Sequence, residues 1–130
     1  MKDQLIEFET AKLAKEKGFN IPVDKIRCGY NRDKEVHTSS MEGRFVDWNS
    51  KKLDNAYSAP TQSLLQKWLR EEKQCILYCE ITMSDYENNY WEFVILYEKN
   101  DIDYSTGSSK VYKNYEEALE KGLQEALKLI

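Results

Sequence analysis

Tyr115-Glu-Glu-Ala-Leu-Glu-Lys-Gly-Leu-Gln-Glu-Ala-Leu-Lys-Leu-Ile130 carries the strongest periodicity in the chain. Tyr115, Ala118, Leu119, Gly122, Leu123, Ala126, Leu127 and Ile130 recur in alternating steps of three and one, which places them on a single stripe of an α-helix. Glu116, Glu117, Glu120, Lys121, Glu125 and Lys128 fill the other side. Asn114, three residues before Glu117, supplies an approximate capping arrangement at the helix start. Gly122 lies on the apolar stripe, where it costs about 1 kcal/mol relative to Ala unless a close approach compensates. The backbone is therefore expected to cross near a sheet at that point.

The preceding residues supply that sheet. After Glu71-Glu72-Lys73-Gln74 the period changes to two. Cys75, Leu77, Cys79, Ile81 and Met83 fall on one face, and Ile76, Tyr78, Glu80 and Thr82 on the other. Ser84 to Asn89 has turn chemistry, and Tyr90 to Glu98 is a second strand, with Trp91, Phe93, Ile95 and Tyr97 alternating with Tyr90, Glu92, Val94 and Leu96. Two neighbouring strands with a short connection pair antiparallel. Asn100 to Ser109 reads as polar and turn-rich, and Lys110 to Tyr112 as a short additional strand.

Two further helices precede the hairpin. Ser58-Ala59-Pro60-Thr61 opens one, with Leu64, Leu65, Trp68 and Leu69 as its apolar stripe and Gln62, Gln66, Lys67 and Arg70 expected to face water. Glu7 to Lys17 reads as the other, with Phe8, Ala11 and Ala14 on one side, Leu13 beside them and Gly18 as the left-handed stop. Pro22 makes continued helix unfavourable. From Val23 to Ser58 the pattern weakens to short apolar pieces at Ile26 to Tyr30 and Phe45 to Trp48, separated by Asn31-Arg32-Asp33-Lys34 and Asn49-Ser50-Lys51-Lys52. Short strands and turns fit this stretch. The expected architecture is a single α+β domain over residues 1–130, less regular around 31–58. It has a small, mainly antiparallel sheet and about three helices, at least two of them on one face of the hairpin.

Composition narrows the function. At 130 residues, with 41% hydrophobic and 32% charged side chains, the chain can bury a core without disulfides or metal. Nineteen basic against 23 acidic residues give a net charge of -4, opposite to the footprint of a phosphate-gripping protein. The runs Lys12 to Lys17 and Asn49 to Lys52 are short and interrupted, as solvated faces are. No apolar run has the length of a signal peptide or a membrane span, so the expected compartment is the cytoplasm, with no membrane partner. Cys75 and Cys79, four apart on a strand, sit ~13 Å apart on one face, beyond disulfide reach. They read as reduced thiols packed like small hydrophobes, and with only His37 elsewhere no metal or other cofactor is indicated.

Sharper motifs dissolve on inspection. Thr10 to Gly18 resembles the first half of a helix-turn-helix, but Pro22 and Gly29 leave too little room for a recognition helix. His37 beside Ser39, Ser40 and Asp33 is a run of sequence neighbours, whereas a triad converges from separate elements. Gly107-Ser108-Ser109-Lys110 lacks the upstream glycine of a phosphate loop. Nine tyrosines and three tryptophans are generous for this length. If the Cys75 and Phe93 faces pack on helices, Tyr78 and Tyr90 remain on the opposite side of the sheet, where they can dock a protein partner or a second copy or simply cover the surface by cross-strand pairing. They are the candidate partner-binding residues; no catalytic residue is indicated.

Three blocks carry a resemblance: Phe8-Glu-Thr-Ala-Lys-Leu-Ala-Lys-Glu-Lys-Gly-Phe19, Tyr57-Ser-Ala-Pro-Thr-Gln-Ser-Leu-Leu-Gln-Lys-Trp-Leu-Arg-Glu71 and Tyr115 to Ile130. Together they resemble a group of small uncharacterised proteins of phages and prophage-like elements in Bacteroides-type gut bacteria. The resemblance implies a setting, the bacterial cytoplasm during phage replication or lysogeny, and transfers no site residue. The leading expectation is a non-enzymatic accessory protein acting through a protein partner or self-association. The alternatives are a nucleic-acid-associated regulatory factor and an enzyme whose site is scattered along the sequence.

Overall fold

A computed structural model describes residues 3–21, 28–38, 49, 56–84 and 88–130. The apolar piece Phe45 to Trp48, Pro22 and most of the Asn49 to Lys52 stretch lie outside the described residues, as do Ser39 and Ser40. Two compact units divide the chain, Met1–Thr61 and Gln62–Ile130.

In the first unit the helix α1 spans Phe8–Glu16 and buries Thr10, Ala11 and Ala14. It ends as a left-handed glycine stop demands: Gly18 has φ +92, its amide donates to the Lys15 carbonyl, and the Phe19 amide reaches back to the Ala14 carbonyl at 2.9 Å. These are the paired closing bonds of a Schellman motif, with buried Phe19 as its apolar contact. Three short strands, β1 (Cys28–Tyr30), β2 (Val36–Thr38) and β3 (Tyr57–Ser58), form an antiparallel sheet in the order β2-β1-β3. α1 packs on β3. Phe8 meets Tyr30 and Tyr57 edge-on, at 5.7 and 5.4 Å between ring centres, and the Tyr30 hydroxyl donates to the Ile6 carbonyl at 2.6 Å. The Asn31 side chain accepts from the amides of Asp33 and Glu35 and so turns the chain between β1 and β2. His37 sits in β2, opposite Gly29.

The second unit holds α2 (Gln62–Glu72), β4 (Cys75–Ser84), β5 (Asn89–Lys99), β6 (Ile102–Gly107) and α3 (Tyr115–Leu129). Its sheet is antiparallel, in the order β4-β5-β6. Cys75 pairs with Tyr97, Leu77 with Ile95 and Cys79 with Phe93, with a bulge between Ile81 and Met83. Both α2 and α3 pack on this sheet and on each other. The chain is thus an α+β protein in which two of its helices share one sheet. Leu119, Leu123 and Leu127 are at most 2% exposed. Gly122 lies where α3 crosses the sheet: a β-carbon there would stand 2.7 Å from Leu77 Cδ1 and 3.0 Å from Phe93 Cβ and Cγ. The Asn114 side chain caps α3, accepting from the Glu117 amide at 2.8 Å.

Several expectations are corrected. Asn100 to Ser109 contains a strand, β6, joined to β5 by Asn100 and Asp101 with φ of 54 and 62. Those angles are the left-handed pair of a two-residue hairpin turn that matches strand twist, and Asn and Asp tolerate them better than other non-glycine residues. Gln62 does not face water. It is buried, donating to the Glu116 carbonyl at 2.9 Å and to Glu120 Oε1 at 3.0 Å, so Glu120 is also buried on what reads as a polar flank. The two polar groups satisfy one another between α2 and α3, which is what makes their burial tolerable. Gln66 is half-buried and donates to the Leu77 carbonyl at 2.6 Å, a backbone acceptor of β4. Lys110 to Tyr112 adds only a bridge: Tyr112 and Trp91 exchange two backbone bonds of 2.8 Å.

A candidate docking face on the second unit

The period of two along β4 and β5 separates the side chains into a helix-covered and an open face. Cys75, Leu77, Phe93 and Ile95 are buried under α2 and α3. Desolvation pushes the Cys75 thiol up to about 11 and the Cys79 thiol up to about 12, so both stay protonated and poorly nucleophilic at neutral pH. Ser108 continues the third strand, its amide donating to the Phe93 carbonyl at 3.0 Å and its hydroxyl accepting from the Phe93 amide at 3.3 Å. Gly107 and Ser108 are therefore the end of an edge strand and not part of a phosphate loop.

The open face is ordered in rows by the strand register. Ile76 lies opposite Leu96, which in turn pairs with Ser105; Tyr78 lies opposite Val94, which pairs with Gly107. Ile76, Tyr78 and Leu96 are 44%, 39% and 38% exposed, an amount of apolar surface that needs a reason when it is contiguous. An acidic row bounds each end of this strip, Glu80 opposite Glu92 on one side and Glu98 opposite Asp103 on the other. A side-chain hydrogen bond from Glu92, then desolvation and the Glu92 charge, raise the Glu80 carboxyl above its ordinary range, so the two carboxylates compete for a proton. Like charges directly across strands weaken a sheet.

Tyr78 and Tyr90 both stand on this face, but the structure does not bring them together. The Glu80–Glu92 row separates them, and Tyr90 sits beyond it beside a small cavity of about 170 Å³ with Asn88, Asn89 and Lys113. The apolar companions of Tyr78 are Ile76 and Leu96, which the choice of tyrosines alone passes over although they share its parity. At the Glu98 end a groove of about 620 Å³ is lined by Ile76, Leu96, Glu98 and Asp103, with Arg70 at the end of α2 and the stacked rings of Tyr97 and Tyr104, 5.3 Å apart. Asp103 and Ser105 escape sequence reading because β6 itself does.

Among the described residues no three His, Cys, Asp or Glu side chains converge in a way that holds a metal ion, and no helix is long and apolar enough to cross a membrane. Comparison with protein-family models, with curated proteins and with solved structures gives no match to this chain.

Proposed function

We propose that this chain is a non-enzymatic accessory protein of a phage or prophage-like element, acting in the bacterial cytoplasm by binding another protein. The observation that supports this reading is the contiguous strip Ile76, Tyr78, Val94 and Leu96 on β4 and β5, left open while α2 and α3 cover the reverse of these two strands. A sheet with one covered and one open apolar face presents the flat, rigid surface that protein interfaces use, aromatic at its centre and polar at its rim. The carboxylates bounding the strip disfavour nucleic acid there, since phosphate backbone seeks lysine and arginine. The resemblance of the three sequence blocks to phage-borne proteins supplies the setting.

The test is affinity capture of the tagged chain from prophage-carrying cells, run in parallel with an Ile76→Glu/Leu96→Glu variant. A protein retained by the unaltered chain and lost with the variant, while the variant keeps its circular-dichroism spectrum and unfolding midpoint, supports the reading. Retention of the same partners by both chains removes this face from the function.

A further inference from the structure

The open face has a charge pattern as well as an apolar strip. On the three strands themselves its described side chains include Glu80, Glu92, Glu98 and Asp103 and no lysine or arginine. Lys113 borders it near Tyr90 and Arg70 borders the groove at the opposite end, so four carboxylates face two cations and the surface stays acidic. Among the described residues neither Glu98 nor Asp103 makes an ion pair within 4.0 Å, and neither do Glu80 and Glu92. The acids are arranged as two opposed pairs, and a cation brought from outside relieves the repulsion within each when both members are ionised.

Geometry limits what that cation belongs to. Glu92 and Glu98 are six residues apart on β5, ~20 Å along a strand. Three strands at ~4.8 Å spacing make the open face ~10 Å wide, the diameter of an α-helix. An α-helix spans ~20 Å in ~13 residues. We infer that the open face of the β4-β5-β6 sheet seats a basic amphipathic helix of a partner protein, its apolar side on Ile76, Tyr78, Val94 and Leu96 and its lysines or arginines, near both ends, on the Glu80–Glu92 and Glu98–Asp103 pairs. This inference rests on the docking role proposed above and names the chemistry of the occupant. A second copy laid face to face is disfavoured, because it sets these carboxylates against their own kind.

The probe is a synthetic amidated 14-residue helix-forming peptide with leucines at three- and four-residue spacing and lysines only in its first and last turns. Its counterpart carries glutamate at the lysine positions. Each is titrated into the isotope-labelled full chain at low salt and followed by amide chemical shifts. The lysine-ended peptide is expected to shift Ile76, Tyr78, Val94 and Leu96 and to bind at least tenfold more tightly than the glutamate-ended one. Charge reversal by Glu80→Lys with Glu98→Lys is expected to invert that order. Glu98→Lys alone serves as a milder variant, and unchanged shifts on α3 report that the fold is kept. Equal binding of both peptides at this face overturns the basic occupant while leaving the docking role standing. Shifts confined to other surfaces overturn both. Self-association of the free chain that Leu96→Glu abolishes gives the face to a second copy and overturns the inference.

Discussion

Replacing Gly122 by alanine tests how closely α3 lies on its sheet. In an open helix interior the change stabilises by about 1 kcal/mol, because alanine restricts the unfolded chain and is the better helix former. Here the new methyl would meet Leu77 Cδ1 at 2.7 Å and Phe93 Cβ and Cγ at 3.0 Å. The leucine methyl can rotate away, but Phe93 Cβ is fixed to the β5 backbone, so the helix must lift from the strand. Overpacking of this kind costs ~1–3 kcal/mol. Taking the upper part of that range and subtracting the propensity gain leaves a net loss of ~1–2 kcal/mol. Urea unfolding followed by tryptophan fluorescence measures it, since Trp68 on α2 and Trp91 on β5 both report on the second unit. Pairing the change with Leu77→Ala should be less than additive, because the shortened side chain clears one of the contacts. A Gly122→Ala protein as stable as the parent, or more stable, would show that α3 stands off the sheet and refute the packing described.

Three other perturbations probe separate links. Gly18→Ala meets nothing within 4 Å, so its expected cost of ~1–2 kcal/mol is purely backbone strain at φ +92, and Gly18→Asn should recover part of it in the same unfolding assay. Gln62→Ala removes a donor from buried Glu120 and from the Glu116 carbonyl and is expected to lose ~1–3 kcal/mol, measured by urea unfolding; an unchanged midpoint would make the buried pair incidental. Glu80 binds its proton more tightly folded than unfolded, so its contribution favours the folded state below pH 4.5 and is lost as pH rises through the raised folded range. The melting temperature of Glu80→Gln should therefore gain on that of the parent as pH rises across this window, and a constant difference would refute the shared proton.

Much of this fold is legible in the residues where burial and period agree. The α3 stripe announces its helix, its cap at Asn114 and even its crossing point at Gly122, because a glycine on an apolar stripe requires a close neighbour to repay its helix cost. β4 and β5 are equally plain, since both are runs of β-branched, aromatic and aliphatic residues that share a period of two, although the open face is apolar as well. β6 hides because all six of its residues are exposed and polar turn residues surround it; its local signals are the alternation of Ile102, Tyr104 and Thr106 with Asp103, Ser105 and Gly107, and Asn100-Asp101, a turn pair compatible with left-handed angles. Gln62 and Glu120 mislead for the converse reason: two polar groups that bond one another can be buried, and a one-dimensional pattern counts each as solvent-facing. The candidate face is half legible. Tyr78 and Tyr90 are assigned to the correct side, whereas the acidic rows around the strip depend on register and on β6, which only tertiary pairing specifies.

Site-specific photocrosslinking tests the docking account most directly. A benzophenone amino acid replaces Tyr78 in the middle of the open face, or Lys121 on the solvent side of α3, in the full chain expressed in prophage-carrying cells. The account predicts a discrete covalent adduct from position 78 that is absent from position 121 and disappears when Leu96→Glu is added. An adduct from position 121 with none from position 78 would contradict it.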